Sequence, residues 1–574
     1  MWRRKLAKVR FFRREAFGSA LNETKSGKRS PAETSFFDED RPYAILSMLS
    51  LILPQIFDSA HRPSGGIKKR RRELLMSKLF DEFREYEEET NNMSHAATLL
   101  YWDMETSMPR EGFKGHSDAI AYLSTETFKR TSGEKMGEFL DKLSSKEEFE
   151  ALDSDWQTIV GIMKKKYDEN KRIPADFYKE YIVASNEAGI AWQDAKKNND
   201  FSIFAPHLEK MIKMTTKMAE YRKPGMEVYD ALLDQYEEGM DSATYDRVFN
   251  DLKEGLLPLL NKILAAGPYD ESKFKKKYDI LSEKKVEKFL LEYIGFSFDK
   301  GCTGETEHPF TLNFNSKDVR VSNHFSEDDA IDPMFSAIHE GGHAIFEQNV
   351  AEKLDGTAGG SCEFLGLHES QSRFYENILG RNINFWKPIY SKIQELQPEL
   401  KDVTLEEFYR YINSVKNSLI RTRADEVTYC LHVILRYEIE KEIFRNHVPV
   451  SELPALWNRK MEEYLHITPP TDSEGILQDM HWSDGSFGYF PTYLLGTIYD
   501  GMYIEAIEKD LGSLDKVLEE GRIKDITKWL NEKIHWFGST RKPVEVIKAV
   551  CGREVSAEPI LKYFKEKYSN IYNL

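Results

Sequence analysis

The sequence predicts a mainly α-helical protein that contains one small β-hairpin. From residue 76 onward, apolar residues recur at three- and four-residue spacing with charged residues between them, which is the pattern of amphipathic helices. Between residues 309 and 325 the spacing changes to alternation, which is typical of strands. The segments with helical spacing are 77–102, 145–168, 206–222, 243–265, 284–295, 404–418, 424–445 and 514–532.

The alternating segment predicts two short strands joined by a tight turn. Leu312 and Phe314 precede the polar residues 315–318, and Val319 and Val321 follow them. A polar turn between two alternating runs indicates a β-hairpin. We therefore expect a small sheet directly before, and beside, the next helical segment of the chain.

Composition and charge exclude several classes of protein. The chain has 574 residues, 40% hydrophobic and 31% charged, as in a soluble globular protein with a large core. Its four cysteines are widely spaced and form no C-x-x-C pair, so neither a disulfide framework nor a cysteine zinc site is indicated. Residues 76–574 carry a net charge of −25, because the whole chain has −16 and residues 1–75 have +9. An acidic body argues against nucleic-acid binding, which needs a basic face.

The first 75 residues are predicted to be an N-terminal extension that is disordered or outside the main fold. Residues 1–35 are rich in Arg and Lys and poor in acids, as transit peptides are. The apolar stretch 43–57 is shorter than the about 20 residues that a helix needs to cross a bilayer, so we expect no stable membrane insertion. Our hypothesis is that Met76 is the physiological start; a targeting or membrane-surface segment is the alternative. We predict one large domain over residues 76–574 and a cytoplasmic location.

The run HEGGH at residues 339–343 matches the H-E-x-x-H pattern. Residues four apart lie on one face of a helix, so both imidazoles can reach one Zn²⁺ ion. Glu340 can then face a water molecule on that metal as general base. Asp332 suits the N-cap of this helix and Pro333 its first position. The two adjacent glycines weaken a helix by about 1 kcal/mol each, which indicates a close backbone approach or a neighbouring substrate.

The third metal ligand is not identified by spacing. A catalytic zinc needs three protein ligands and one open position. The pattern with a third His at position 349 is excluded, because Asn349 stands there. A Glu from a following helix is the other common solution, and Glu363, His368 and Glu369 all compete for this role.

Six short motifs occur in one order along the chain. They are HPF (308–310), DVRVS (318–322), HEGGH (339–343), HESQSR (368–373), IRTRAD (420–425) and GILQDMHW (475–482). This series resembles the carboxypeptidase Taq family of metallocarboxypeptidases, and the likeness extends over about residues 76–574. The resemblance implies a large helical zincin-type fold, with a substrate cleft and a small sheet beside the motif helix.

The resemblance also implies the composition of the metal site. It implies zinc, with cobalt as an alternative metal, bound by His339, His343 and Glu369, with Glu340 as the base. It further implies a homodimer. One departure is that the family's D-x-R-x-T motif ends here in Ser322, which keeps the hydroxyl, so we expect only fine substrate positioning to differ.

His481 and Tyr489 are candidates for the donors that a tetrahedral intermediate needs in addition to the metal. Both lie in or next to the Gly-rich, aromatic stretch 483–493. Gln478 is expected to support the same region. The strand before the motif helix can offer main-chain hydrogen bonds to an extended peptide.

Recognition of a free C-terminal carboxylate calls for an Arg, whose planar fork binds carboxylate at two points. Arg421 is the best candidate, since the family motif IRTRAD places its first Arg in the cleft. Arg320 and His308 are expected to bound the cleft and the substrate length. Arg423 is interpreted as a solvated side chain and Asp425 as structural.

These observations together predict a metallocarboxypeptidase that acts on peptides with a free C-terminus. A helical zinc endo-oligopeptidase is the alternative, because it would share every metal residue. A non-catalytic peptide-binding scaffold is a third class, but Glu340 and the candidate ligands are all present, which argues against it.

Overall fold

The computed structural model describes residues 78–574, and within them the predicted mainly helical fold is confirmed. The helices before the sheet are α1 (Lys78–Thr106), α2 (Phe113–Ser132), α3 (Glu134–Leu143), α4 (Lys146–Ala151), α5 (Ser154–Lys171), α6 (Ala175–Asn198), α7 (Phe201–Arg222), α8 (Val228–Asp234), α9 (Ser242–Ala265) and α10 (Ile280–Ile294). Those after the sheet are α11 (Ile331–Gln348), α12 (Leu365–Arg373), α13 (Ile383–Trp386), α14 (Tyr390–Leu396), α15 (Leu405–Ile412), α16 (Glu426–Phe444), α17 (Leu453–Leu465), α18 (Phe490–Leu511), α19 (Leu514–Glu519), α20 (Ile523–Lys533), α21 (Pro543–Cys551) and α22 (Glu558–Tyr572).

The predicted helical segments differ from the structure mainly at their ends. Segment 145–168 forms two helices, α4 and α5, because the Asp153 carboxylate accepts a hydrogen bond from Trp156 N (2.9 Å) and starts a new helix. Segment 404–418 begins as predicted, where Thr404 and Glu407 form a reciprocal capping box, but α15 already ends at Ile412.

A three-stranded sheet lies between α10 and α11 in the chain. Its strands are β1 (Gly301–Glu305), β2 (Phe310–Asn315) and β3 (Asp318–Asn323), in the order β1-β3-β2. The antiparallel pair β2–β3 confirms the predicted hairpin, whereas the parallel partner β1 was not predicted. The GCTGE sequence of β1 lacks apolar alternation, and a Cβ at Gly301 would lie 2.0 Å from the Val319 carbonyl oxygen. Close approach to β3, rather than hydrophobic patterning, therefore makes this segment a strand.

The sheet contacts both α1 and the motif helix α11. Trp102 of α1 packs edge-on against Phe310 of β2, with ring centroids 5.8 Å apart. Val319 and Val321 of β3 are fully buried. Burial of these apolar side chains positions β2 and β3 beside the helix that carries the H-E-x-x-H motif.

The N-terminal predictions fall outside the part of the chain that the structure describes. The extension over residues 1–75, the apolar stretch 43–57 and the hypothesis about Met76 all lie there, so they stay predictions. Within residues 78–574, every helix is too short or too polar to cross a membrane.

A buried carboxylate secures the start of α12. Glu237 Oε2 accepts a hydrogen bond from Gly366 N (2.8 Å), and its Oε1 accepts one from the Tyr499 hydroxyl (3.2 Å). Burial raises the pKa of Glu237 to about 8. Between pH 4.5 and 8 this side chain is therefore neutral in the folded protein and ionised in the unfolded chain, so its contribution to stability declines as the pH rises through that window.

We expect Glu237→Gln, which mimics the neutral acid, to raise the free energy of unfolding at pH 8 by on the order of 1 kcal/mol or more, with little change near pH 5. Thermal unfolding at both pH values measures this difference. Glu238→Gln is the matched control: ion pairs with Lys165 and Lys542 hold the pKa of Glu238 down despite partial burial, so its loss brings no gain at pH 8. A loss of stability in Glu237→Gln at both pH values would instead show that Glu237 is ionised at the start of α12.

Candidate metal centre

The H-E-x-x-H motif lies in the middle of α11, a largely buried helix. The prediction that Asp332 is its N-cap is wrong. The helix begins at Ile331, two residues earlier than predicted, and Asp329 serves its first turn, because its Oδ1 accepts hydrogen bonds from Ile331 N (2.8 Å) and Asp332 N (3.2 Å). Pro333 therefore occupies the third helical position, where its missing N–H leaves no intrahelical bond unmade.

Three side chains converge beside the motif. His339, His343 and Glu369 present ligand atoms that all lie within 4.8 Å of one another, the one such group in residues 78–574. His343 Nε2 is 3.6 Å from Glu369 Oε2. The ligand set that the family resemblance implied is thus brought together by α11 and α12.

The two competing candidates for the third position have other partners. Glu363 is exposed and forms an ion pair with Lys166. The ring of His368 lies behind His343: its Nδ1 is 2.6 Å from His343 Nδ1, and its Nε2 is 2.8 Å from Glu347 Oε1. Neither side chain joins the group of three.

Gly342 of the motif has the close backbone approach that the sequence indicated. A Cβ at Gly342 would lie 2.7 Å from the Gln371 carbonyl oxygen and 2.8 Å from Ser372 Cα, both in the backbone of α12. The same helix is approached by α18, where a Cβ at Gly496 would lie 2.9 Å from Ser370 N. Two glycines therefore let α12 fit tightly between α11 and α18, with Glu369 facing the motif.

His339 is oriented by a carboxylate. Its Nδ1 lies 2.8 Å from Glu376 Oε2, and Glu376 also pairs with Arg381 (3.2 Å). Burial lowers the pKa of His339, but the hydrogen bond and the charges of Glu376 and Glu369 outweigh it and raise the pKa to about 9. With Nδ1 occupied by Glu376, Nε2 is the nitrogen left to face the metal.

Glu340 is held by strand β2. The Thr311 hydroxyl lies 2.6 Å from Glu340 Oε2 and 2.9 Å from its carbonyl oxygen. Glu340 is 9% exposed and stands between the two histidines in the chain. This contact fixes the carboxylate next to the metal donors.

The two predicted donors, His481 and Tyr489, lie together with Tyr493. Their ring centroids are 5.2 Å apart, and His481 Nε2 is 3.3 Å from the Tyr493 hydroxyl. Burial and the neighbouring Tyr489 raise the pKa of Tyr493 well above its usual range. The guanidinium of Arg421 lies over the ring of Tyr493, 5.0 Å from its centroid, so this aromatic group lies next to the predicted carboxylate site.

Arg421 is buried and held in one orientation. Asp479 Oδ1 accepts from its Nε (3.2 Å) and Nη2 (2.8 Å), and the Tyr429 hydroxyl lies 3.2 Å from Nη1. Burial disfavours the charge of Asp479, but Arg421 and Arg436 together hold its pKa well below its usual range. The side-chain amide of Gln478 contacts the backbone of Arg421, because its Oε1 accepts a hydrogen bond from Arg421 N (3.0 Å). Gln478 therefore helps to position Arg421.

Of the two residues predicted to bound the cleft, Arg320 lies in β3 and His308 lies in the loop between β1 and β2. Arg320 forms a two-point ion pair with Asp318, with Nε–Oδ1 2.9 Å and Nη2–Oδ2 2.8 Å. Thr306 Oγ1 donates to the carbonyl oxygen of His308 (2.9 Å) and also lies 2.8 Å from the Ser322 hydroxyl. Ser322 is fully buried, so the departure from the family motif lies inside the sheet.

Sequence reasoning missed Thr311, Glu376, Tyr493 and Asp479. Thr311 is a polar residue in the predicted hairpin. Because it is adjacent to Leu312, the alternation indicated only that its side chain points to the opposite face of the strand from Leu312. Asp479 lies within GILQDMHW, and its position between the predicted residues Gln478 and His481 was an available signal. Glu376 follows α12 in a π-helical segment, Phe374–Leu379, whose geometry no pattern in the sequence announces.

Comparison with known proteins identifies the family. The model of the carboxypeptidase Taq (M32) metallopeptidase family matches residues 82–568. The chain belongs to this family. Carboxypeptidase 1 of Bacillus subtilis is 43% identical over 495 residues, which cover 86% of this chain and 98% of that protein.

Solved structures agree with this assignment. An M32 carboxypeptidase from Deinococcus radiodurans has a TM-score of 0.83 and 30% identity, covering 87% of this chain and all of that one. The Pyrococcus furiosus carboxypeptidase has a TM-score of 0.81 and 34% identity, covering 86% of this chain and all of that one. As a member of the carboxypeptidase Taq family, this protein is a metallocarboxypeptidase, as the sequence predicted.

Proposed function

We propose that this family member is a zinc-dependent carboxypeptidase that removes amino acids one at a time from the free C-terminus of peptides. The observation that carries the proposal is the convergence of His339, His343 and Glu369 beside Glu340. The buried Arg421, which contacts Tyr429 and lies over the ring of Tyr493, supplies the group that distinguishes an exopeptidase.

The donor set fits zinc. Two imidazole nitrogens and one carboxylate oxygen form the common three-ligand set of catalytic zinc, which leaves a further position open. Glu376 contacts His339 Nδ1, as carboxylates commonly do with metal-bound imidazoles. The separation of 3.6 Å between His343 Nε2 and Glu369 Oε2 is compatible with two ligands of one ion. Zinc held there supplies Lewis-acid activation of the scissile carbonyl group and of a water molecule. Cobalt accepts the same donors and is the alternative metal.

Glu340 is the proposed general base. Thr311 donates to one carboxylate oxygen, so the side chain is aimed before the substrate arrives. Glu340 takes a proton from the attacking water and passes it to the leaving amine. His481 and Tyr489, supported by Tyr493, supply hydrogen bonds to the oxygen that becomes negative in the transition state.

Arg421 is the proposed partner of the substrate carboxylate. Its side chain is only 7% exposed, and Asp479 fixes the plane of its guanidinium, so little conformational entropy is lost on binding. Strand β2 is an edge strand of the described sheet and is suited to hydrogen-bond an extended peptide, while Arg320 and His308 bound its path.

Free and C-terminally amidated versions of one peptide test the proposal, with products followed by mass spectrometry. We expect stepwise removal of residues from the free peptide only. Cleavage of both versions at equal rates, or at internal bonds, would favour the endo-oligopeptidase alternative.

Arg421→Ala is expected to reduce kcat/KM on free-carboxylate peptides by about 10- to 150-fold, because a charge-assisted hydrogen bond in a buried site is worth roughly 1.5–3 kcal/mol. Arg423→Ala is the matched control, since Arg423 is exposed in the same motif, as predicted, and we expect it to retain activity. Thermal unfolding of both variants separates a binding defect from misfolding. Equal activity of Arg421→Ala and the parent would remove Arg421 from the carboxylate site.

A cytoplasmic location and a homodimer are further proposals that rest on the family resemblance. Sedimentation velocity of the purified protein, at concentrations above and below about 1 μM, measures the oligomeric state.

A further inference from the structure

A series of hydrogen bonds leads from the metal-site residue His343 to strand β2. His343 Nδ1 lies 2.6 Å from His368 Nδ1, and His368 Nε2 lies 2.8 Å from Glu347 Oε1. The other oxygen of Glu347, Oε2, accepts from Asn313 Nδ2 at 2.7 Å. The sequence offered His368 as a metal ligand, and the structure instead gives it these two partners.

One order of protons satisfies every contact in this series. His343 turns its Nε2 toward Glu369, so Nε2 is the metal-facing nitrogen and Nδ1 carries the proton. His368 must then accept at Nδ1 and carry its own proton on Nε2, which donates to Glu347. Glu347 closes the series as a buried carboxylate that accepts further hydrogen bonds from Ser361 and Cys362 N.

The ring of His368 is fixed by packing as well as by hydrogen bonds. It is 9% exposed, and its centroid lies 5.2 Å from the ring of Phe346 and 4.6 Å from the ring of His343. His339 differs, because its Nδ1 meets the carboxylate of Glu376 directly. The two histidines of the motif are therefore supported in unequal ways, one by a carboxylate and one through a second imidazole.

We propose that His368 and Glu347 are positioning residues for His343. They set the tautomer and ring plane of His343 and strengthen Nε2 as a donor to the metal, and Asn313 ties this support to the substrate strand β2. The inference rests on the proposed role of His343 as a metal ligand. Partners of this kind typically change metal affinity by about 10- to 100-fold.

Two substitutions of His368 separate its two hydrogen bonds. Asn places an oxygen near the position of Nδ1 and keeps an acceptor for His343. Gln places an amide nitrogen near the position of Nε2 and keeps only the donor to Glu347. We expect His368→Gln to bind zinc about 10- to 100-fold more weakly than the parent, and His368→Asn to lose less than about 10-fold.

Zinc affinity is measured by competition with a chromophoric chelator, and the visible absorption of the cobalt-loaded proteins reports the ligand geometry independently of activity. Glu347→Gln keeps the shape and an acceptor oxygen but removes the charge, so it serves where a His368 variant does not fold; we expect about 10-fold weaker zinc binding. Glu363→Gln, an exposed carboxylate near α12, is the control and should keep parental affinity.

The outcomes distinguish this inference from the proposed function. If the parent binds no zinc, the proposed metal centre fails. If the parent binds zinc and the His368 and Glu347 variants match its affinity and cobalt spectrum, the positioning role alone is overturned. Equal losses in His368→Gln and His368→Asn would likewise overturn it, because they would show a packing role without a specific bond to His343.

Discussion

The first expected result is that Glu340→Gln retains its metal but loses its hydrolytic activity. The substitution removes a base and leaves His339, His343 and Glu369 in place, and the amide oxygen of Gln can still accept from Thr311. General-base catalysis contributes about 10²- to 10⁴-fold, so kcat should fall by that factor. Metal analysis of the purified variant and turnover of a peptide with a free C-terminus measure the two quantities.

Glu363→Gln provides the comparison, because it makes the same chemical change at an exposed carboxylate. It should match the parent in both zinc content and turnover. If Glu340→Gln lost its zinc, or kept full turnover, Glu340 would not be the base.

The second expected result is that Glu369→Gln loses both metal and activity, so it differs from Glu340→Gln in its metal content. It removes one of the three proposed protein ligands, and a neutral amide is a much weaker zinc donor than a carboxylate. Burial raises the pKa of Glu369, while His339 and Arg373 oppose that rise, so the carboxylate depends on nearby positive charge. Stoichiometric zinc binding followed during dialysis against a chelator measures the loss.

Full zinc occupancy in Glu369→Gln would contradict the proposed ligand set. Attention would then move to Glu376, because it already contacts His339, whereas Glu363 is exposed and His368 is directed to Glu347. Combining the variant with Glu376→Gln would settle which carboxylate completes the site.

The sequence predicted the helical fold, the hairpin and the metal motif because each follows from a local period. The H-E-x-x-H spacing places both histidines on one face of a helix, so the pairing of His339 and His343 could be predicted without knowing the tertiary structure. Glu369 did need it: three candidates of suitable chemistry lay within seven residues, and only the family resemblance chose among them. The structure explains the choice through the orientation of α12 against α11.

The remaining contacts join residues that are distant in the chain, so no local period specified which residues would meet. Thr311 meets Glu340, and Asp479 meets Arg421, through the packing of separate elements. The N-cap was misassigned for a more local reason. Asp329 and Asp332 are both plausible caps three residues apart, and the choice depends on where the preceding loop turns.

The contact at Gly342 has a consequence for the thermodynamics of the whole domain. The backbones of α11 and α12 approach each other closely there, and α18 approaches α12 at Gly496, so the backbone that carries Glu369 cannot move away from the histidines unless helices of the core separate. Opening the metal site and loosening the core thus become one cooperative event. Binding of the proposed zinc ion would then stabilise the whole domain against unfolding, and the midpoint of thermal unfolding would rise with the logarithm of the free zinc concentration.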